Sequence, residues 1–404
     1  MKKELLILKR KKAKELHKKG WSNRKIARLL LTNKDSVANW IKLSDEDLLV
    51  DKRGWKKGIP RKYTVGTKEE IINIRRDLEK ENSYFIGSKV VKANYENKIK
   101  QEISKSFVDR TLKEGGLIKG YNKKRKGLSK YMKYPQRNLN KLGKSMMSLD
   151  FIGPKYLTGS NDRINFLSCK YIRPEKHGIV RRIGGQTSRE VINILKEIWK
   201  NNPIPDVVKV DNDNAFGAHS THPMCIGKLT LFLLNIGVMP LYIAPRSPWN
   251  NGENEGFNSV FSKKFWNKLQ FTDENEIDIK IKDFNIAYEK YTKLISNNPP
   301  NKSPRFIRDF SNINFENINV NKFRSNNIYF LRIVRRKNEK GSEDEHGFIN
   351  VLGKEIKLPK DLINLFVLCV LDIKSKRLSI KNELDTGLMK EIKSIEFEIE
   401  NIKY

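Results

Sequence analysis

Near residue 145 the hydrophobic pattern changes, and that change limits the possible folds more than any other feature. MMSLDFIG (146–153), NFLSCKYI (165–172) and HGIVRRI (177–183) read as short strands. TSREVINILKEIWK (187–200) opens on a Ser/Thr cap and places Val191, Ile194, Leu195 and Ile198 at helical spacing. DVVKVDND (206–213) reads as a buried strand ending in acids, LTLFLLNIG (229–237) as a helix and VMPLYIAP (238–245) as another strand. Two helices follow. One carries Phe257, Val260, Phe261 and Phe265; the other, over 274–294, carries Ile277, Ile281, Phe284 and Tyr288. Strands alternating with helices imply an α/β layer fold.

The segments before residue 145 are helical and strongly basic. Residues 4–19 predict a helix ending at Gly20. Ser22 is a good N-cap for a short helix with Ile26, Ala27 and Leu30 on one face; Leu31-Thr32-Asn33 makes a turn; residues 34–43 predict a third helix with Val37, Trp40 and Ile41 inward. Lys34, Ser36 and Asn39 then face outward. Three short helices with this turn suggest a helix-turn-helix over 1–45, whose last helix enters the DNA major groove. A basic linker, 46–66, holds Lys56 and Lys57. A second, possibly winged, helix-turn-helix is expected over 67–122, with Lys105 and Arg110 on its last helix, and a second basic linker over 123–143 with Lys123, Lys124 and Arg125.

The charge of the whole 404-residue chain is +34, and residues 1–140 hold 39 basic against 16 acidic side chains. Such an excess favours a polyanion through counterion release, so the N-terminal third is expected to bind nucleic acid, with double-stranded DNA the partner that the helix-turn-helix reading implies. The three cysteines, Cys169, Cys225 and Cys369, are far apart and odd in number, which implies no disulfide framework. No apolar run reaches membrane-span length. The setting this predicts is reducing and intracellular, cytoplasmic and nucleoid-associated.

After residue 300 a linker is expected over 301–325. Five short strands over 326–384 (IYFLRIVRR, GFINVLG, KEIKLP, LFVLCVLDI and RLSIKN) suggest a small β-barrel, and 385–404 a charged C-terminal helix.

Acids punctuate the α/β region. Asp150 and Asp211 end apolar strands, and Glu253 and Glu255 open a helix. Carboxylates held at strand ends and helix starts can converge although distant in sequence. Hard divalent ions take such oxygen ligands, and a pair of them suits in-line displacement at phosphorus. A basic chain with clustered acids therefore suggests phosphodiester chemistry.

These residues resemble the integrase and transposase catalytic core, the Asp-Asp-Glu family with a ribonuclease-H-like fold. SLDFIGP (148–154) is similar to the first-aspartate strand. VDNDNAF (210–216) is similar to the second, with Asp213 where glycine is usual. SPWNNGENEGFN (247–258) resembles the Ser-Pro-Trp-x-Asn-Gly-x-x-Glu-x-Phe-Asn stretch of bacterial insertion-sequence transposases, and NNPPNKSPRFI (297–307) a Pro-containing segment after the last helix. The resemblance covers about 145–310. It implies a core over 144–300 with a mixed five-stranded sheet and flanking helices, and a catalytic and metal-binding triad of Asp150, Asp211 and Glu255. It also implies two Mg²⁺ or Mn²⁺ ions, and homo-oligomers that handle two DNA ends. The expected reaction is metal-dependent strand cleavage at element ends followed by 3′-hydroxyl strand transfer. A purely hydrolytic nuclease on this fold and an inactive DNA-binding regulator are the alternatives.

Helix register bears on the two glutamates. Glu255, Asn258, Ser259 and Ser262 form one polar stripe, whereas Glu253 sits near Phe257 and Val260. Asn250-x-x-Glu253 has capping-box spacing, so Glu253 is read as structural. Asp213 is read as a turn residue, with a fourth carboxylate beside the metals as its alternative. Lys263 and Lys264 follow on the same helix and are candidates for phosphate contact. His219, His222 and Cys225 have H-x2-H-x2-C spacing but no apparent fourth ligand, so a plain loop is expected rather than zinc.

Overall fold

The structure, a computed structural model, describes residues 3–50, 63–118, 135–157, 159–217, 223–245, 247–296, 300–307, 309–311, 323–338 and 345–399. The chain divides into two compact units, Met1–Lys68 and Glu69–Tyr404.

The first unit holds α1 (Lys3–Lys18), α2 (Asn23–Leu29), α3 (Lys34–Ile41) and α4 (Asp45–Leu49). Leu6, Ala13, Leu16, Ile26, Ala27, Val37 and Trp40 form its core. Ser22 caps α2 and Asn33 caps α3, each side chain accepting a backbone N–H of the first turn. The unit does not give way to a linker at residue 46. Ser44 caps α4, three acids follow in the first turn where the helix dipole favours them, and Leu48 is buried. Lys14 ties α4 to α1 through Asp45 at 2.7 Å.

In the second unit α5 (Val65–Lys80), α6 (Ser88–Ile99) and α7 (Lys105–Glu114) pack through Ile71, Ile74, Val91, Tyr95, Val108 and Leu112. They are not a separate domain as the 67–122 boundary implied. Phe85, before α6, stacks on Tyr291 at 4.4 Å, and Tyr84 meets Phe284 edge-on at 5.5 Å. Lys268 donates to the carbonyls of Asn82 and Ser83. Aromatic packing thus clamps the three helices to the α/β body. The proposed wing beyond residue 118 lies outside the described residues.

After α8 (Gln136–Leu139) come β1 (Met146–Tyr156), β2 (Arg163–Arg173), β3 (His177–Ile183), α9 (Ser188–Asn201), β4 (Val207–Val210), α10 (Lys228–Asn235), β5 (Met239–Tyr242), α11 (Gly252–Phe261) and α12 (Glu274–Ile295). The five strands lie in the order β5-β4-β1-β2-β3. β1, β2 and β3 are antiparallel, while β1, β4 and β5 are parallel. These are the five mixed strands expected, but they belong to a larger sheet. Met147, Leu149, Val208 and Val210 pack toward α9 and α10, whereas Ile152, Phe166 and Val180 pack toward α11 and α12. Gly178 lets α11 lie close: a Cβ there would sit 2.6 Å from Phe257 Cζ.

The C-terminal strands depart from expectation. They are β6 (Asn327–Ile333), β7 (Arg335–Asn338), β8 (Glu345–Val351), β9 (Lys354–Leu358), β10 (Phe366–Asp372), β11 (Arg377–Glu383) and β12 (Met389–Glu396). They form no separate barrel. β6 pairs in parallel with β5, and β10, β11 and β12 continue from it, so one nine-stranded sheet runs from β12 to β3. β7, β8 and β9 form a small second sheet. The reason is pairing: β6 and β10 spend their edges on β5 and on each other, which leaves none free to close a ring. The expected C-terminal helix is β12, drawn into strand by pairing with β11. The 301–325 linker is pinned where described: Arg305 bridges Ile204 and donates to the Pro205 carbonyl at 3.0 Å, and Phe310 is buried beside Phe232.

Candidate active site

Parallel register sets Ser148 of β1 beside Lys209 of β4, which brings Asp150 level with Asp211, the residue after β4. Both pairs sit on the α11 face of the sheet. Asp150, Asp211 and Glu255 line one cleft of about 460 Å³ with Asn212, Asp213, Ser247 and Asn251. Glu253 is not among its walls.

Burial pushes the Asp150 carboxyl up to about 6, and the neighbouring charges of Asp211 and Glu255 push the same way. The Phe151 N–H and the Asn258 amide, which donates to Asp150 Oδ2 at 2.9 Å, oppose the rise. Burial also raises Asp211, opposed by the Asp213 N–H on its Oδ1 at 2.9 Å. Asp213 is a turn residue: its side chain accepts the Ala215 N–H and caps the 3-10 turn Asn214–Phe216, while it still lines the cleft.

The capping box at Glu253 does not form. Asn250 lies in the 3-10 turn Pro248–Asn251, and both its side-chain polar atoms are buried without a partner. Glu253 is exposed rather than turned to the core, 3.7 Å from Lys176. The helix start is held instead by contacts to the sheet. Ser148 Oγ donates to Asn251 Oδ1 at 2.9 Å and accepts from Asn254 Nδ2 at 3.0 Å. Lys209 Nζ donates to the Asn250 carbonyl at 3.1 Å. On β2, Lys170 donates to the Tyr288 hydroxyl at 2.9 Å over the Tyr288 and Phe257 rings. Burial lowers both lysines, Lys170 to about 8. Sequence reasoning missed Ser148, Asn251, Asn254, Lys170 and Lys209. A single lysine inside each apolar run, KYI and VVKV, was the available signal.

Three hard oxygen donors lining one cleft suit a divalent cation in donor type. Among the described residues no three His, Cys, Asp or Glu side chains are already gathered as a metal-holding cluster.

The remaining candidates are dispersed. Lys34 and Asn39 are exposed on α3 and Ser36 is half-buried. Lys105 and Arg110 are exposed on α7, with Lys105 paired to Asp109. Lys263 and Lys264 lie on a π-helical turn, Ser262–Trp266, that extends α11 away from the cleft walls. Lys56, Lys57, Lys123, Lys124, Arg125, His219 and His222 lie outside the described residues. Cys225 is buried and its thiol faces the Pro223 carbonyl.

Comparison with known proteins adds little to this geometry. The family described as a putative ATPase subunit of terminase (gpP-like) matches residues 9–50 alone, the span of α1 to α4. No curated protein matches the chain. Among solved structures, the intasome of simian T-cell lymphotropic virus with PP2A regulatory subunit B56 gamma aligns at 10% identity and TM-score 0.31, over 72% of this chain and 97% of that one. The Mos1 mariner paired end complex with Mn aligns at 12% identity and TM-score 0.28, over 71% and 92%. At these identities and TM-scores the likenesses carry no argument about function, which rests on the residues of the cleft. Among the described residues no helix is long and apolar enough to cross a membrane.

Proposed function

We propose that the chain is a DNA transposase or integrase that cleaves strands at element ends and joins the freed 3′-hydroxyl to target DNA. The observation that carries this reading is the convergence of Asp150, Asp211 and Glu255 on one cleft, where burial and mutual repulsion hold Asp150 high. Together the three would hold Mg²⁺ or Mn²⁺, two ions in the fullest case. Such ions, when bound, stabilise charge on the attacking and leaving oxygens of an in-line displacement at phosphorus. The chain's own part is placement. The sheet fixes Asp150 against Asp211, the Asn258 amide orients the Asp150 carboxylate, and α11 presents Glu255 across the opening. The exposed basic residues of α3 and α7 would meet the DNA backbone, with a few base contacts for recognition. Handling two ends together calls for more than one copy of the chain.

The test is strand transfer with the purified protein, DNA flanking its own gene, Mg²⁺ or Mn²⁺ and a plasmid target. Joined products are expected from the parent, and none from Glu255→Gln while DNA binding persists. Cleavage without joining would favour a hydrolytic nuclease. Specific binding with neither activity would identify a regulator.

A further inference from the structure

The geometry points to Ser148 as a positioning residue that sets where Glu255 stands relative to Asp150; this role rests on the reading of the cleft given above. Ser148 is fully buried near the start of β1, two residues before Asp150 and on the same face. Its hydroxyl donates to Asn251 and accepts from Asn254, so both hydrogen-bonding capacities are spent on α11. Asn254 is itself fully buried and Asn251 nearly so. A third asparagine, Asn258, donates to Asp150.

Asn251, Asn254 and Asn258 recur at spacings of three and four, which puts them on one line along the helix. That line lies over β1, docked at Ser148 and at Asp150. Glu255 comes directly after Asn254 and four residues after Asn251. Its backbone is therefore bracketed by the clasp at one end and Asn258 at the other. Asn251 stands at the N-cap position of α11, yet its side chain caps nothing in the helix. Its amide oxygen goes to Ser148 instead. A cap would stabilise the helix alone, whereas this bond fixes the helix to the strand that carries the first aspartate. A buried hydroxyl held by two amides also has low tolerance for sliding, because any shift strands polar atoms away from water.

The test uses the full chain without DNA and Mn²⁺ as the probe. Ser148→Ala is expected to weaken Mn²⁺ binding about tenfold or more, the usual scale for a residue that orients a metal ligand. Amide exchange over 252–258 should quicken in the same variant. Ser148→Thr, which keeps the hydroxyl, should hold both near the parent. Ser148→Ala combined with Asn254→Leu removes the bonded pair together and so leaves fewer stranded polar atoms. It should melt higher than Ser148→Ala alone and still bind Mn²⁺ weakly. Parental affinity and parental exchange in that double variant would overturn the positioning role while the three-acid site stood. If the parent bound no more Mn²⁺ than Asp150→Asn, the reading of the cleft would have failed, and the role of Ser148 with it.

Discussion

Two neighbouring rungs of the sheet beneath α11 carry opposite charge. One runs Lys170, Ser148, Lys209 and is almost wholly buried. The next runs Ser168, Asp150, Asp211 and opens to the cleft. Both lysines have a neutral oxygen each, from Tyr288 and from the Asn250 carbonyl. The acids have donors too, yet Asp150 still stands raised by burial and by the charges of Asp211 and Glu255. The cationic rung is built into the packing that holds α11, whereas the acidic rung keeps a repulsion that packing does not relieve. Unrelieved like charge in a cleft is the usual mark of a site awaiting a partner rather than of a structural ion pair.

Neutralising the acidic rung should have the largest effect. Asp150→Asn is expected to lower strand transfer by about a thousandfold or more, read by joined product per unit time. The cationic rung should show itself through pH. Lys170 is lowered from 10.5 to about 8 in the folded chain. Between those values the unfolded chain still holds a proton that the folded chain has released, so this group's contribution to stability rises with pH across that window and its burial cost is fully present below it. Lys170→Met should lack that rise, a difference of up to roughly 2–3 kcal/mol by denaturant titration at pH 7.5 and 10. A smaller change should appear in Asp150→Asn itself: with one repelling charge gone, it should be more stable than the parent by about 1 kcal/mol near neutral pH, the usual exchange of activity for stability. The least effect belongs to Glu253, which lies on neither rung. Glu253→Gln should alter stability by less than about 0.5 kcal/mol and leave joining near parental, because its contact with Lys176 is exposed and long.

The five core strands and their acids were legible because local pattern and fold agree there. Asp211 follows the end of β4 as expected, whereas Asp150 lies inside β1, which runs on to Tyr156; register then places the two side by side. What was not legible depends on partners that lie far off in sequence. MKEIKSIE (389–396) is rich in helix formers, yet it is strand because β11 offers it an edge. IYFLRIVRR reads equally well as barrel or sheet, and only the exposed edge of β5 decides it. The Asn250-x-x-Glu253 spacing is a sound local signal, but tertiary contacts took over: β1 claims Asn251, and Glu253 turns to solvent. Four residues after Ser44, Leu48 has a core to enter, which no linker composition reveals.

The continuity of the sheet across β5 and β6 bears on how this protein is made. A nascent chain that has passed α12 holds a finished cleft but a bare β5, with a row of unpaired amides and carbonyls, until β6 arrives. Until then any extended segment nearby can take that place. A fragment cut back to the core would keep that hazard for good, so trimming the C-terminal strands should yield aggregates rather than a smaller folded protein.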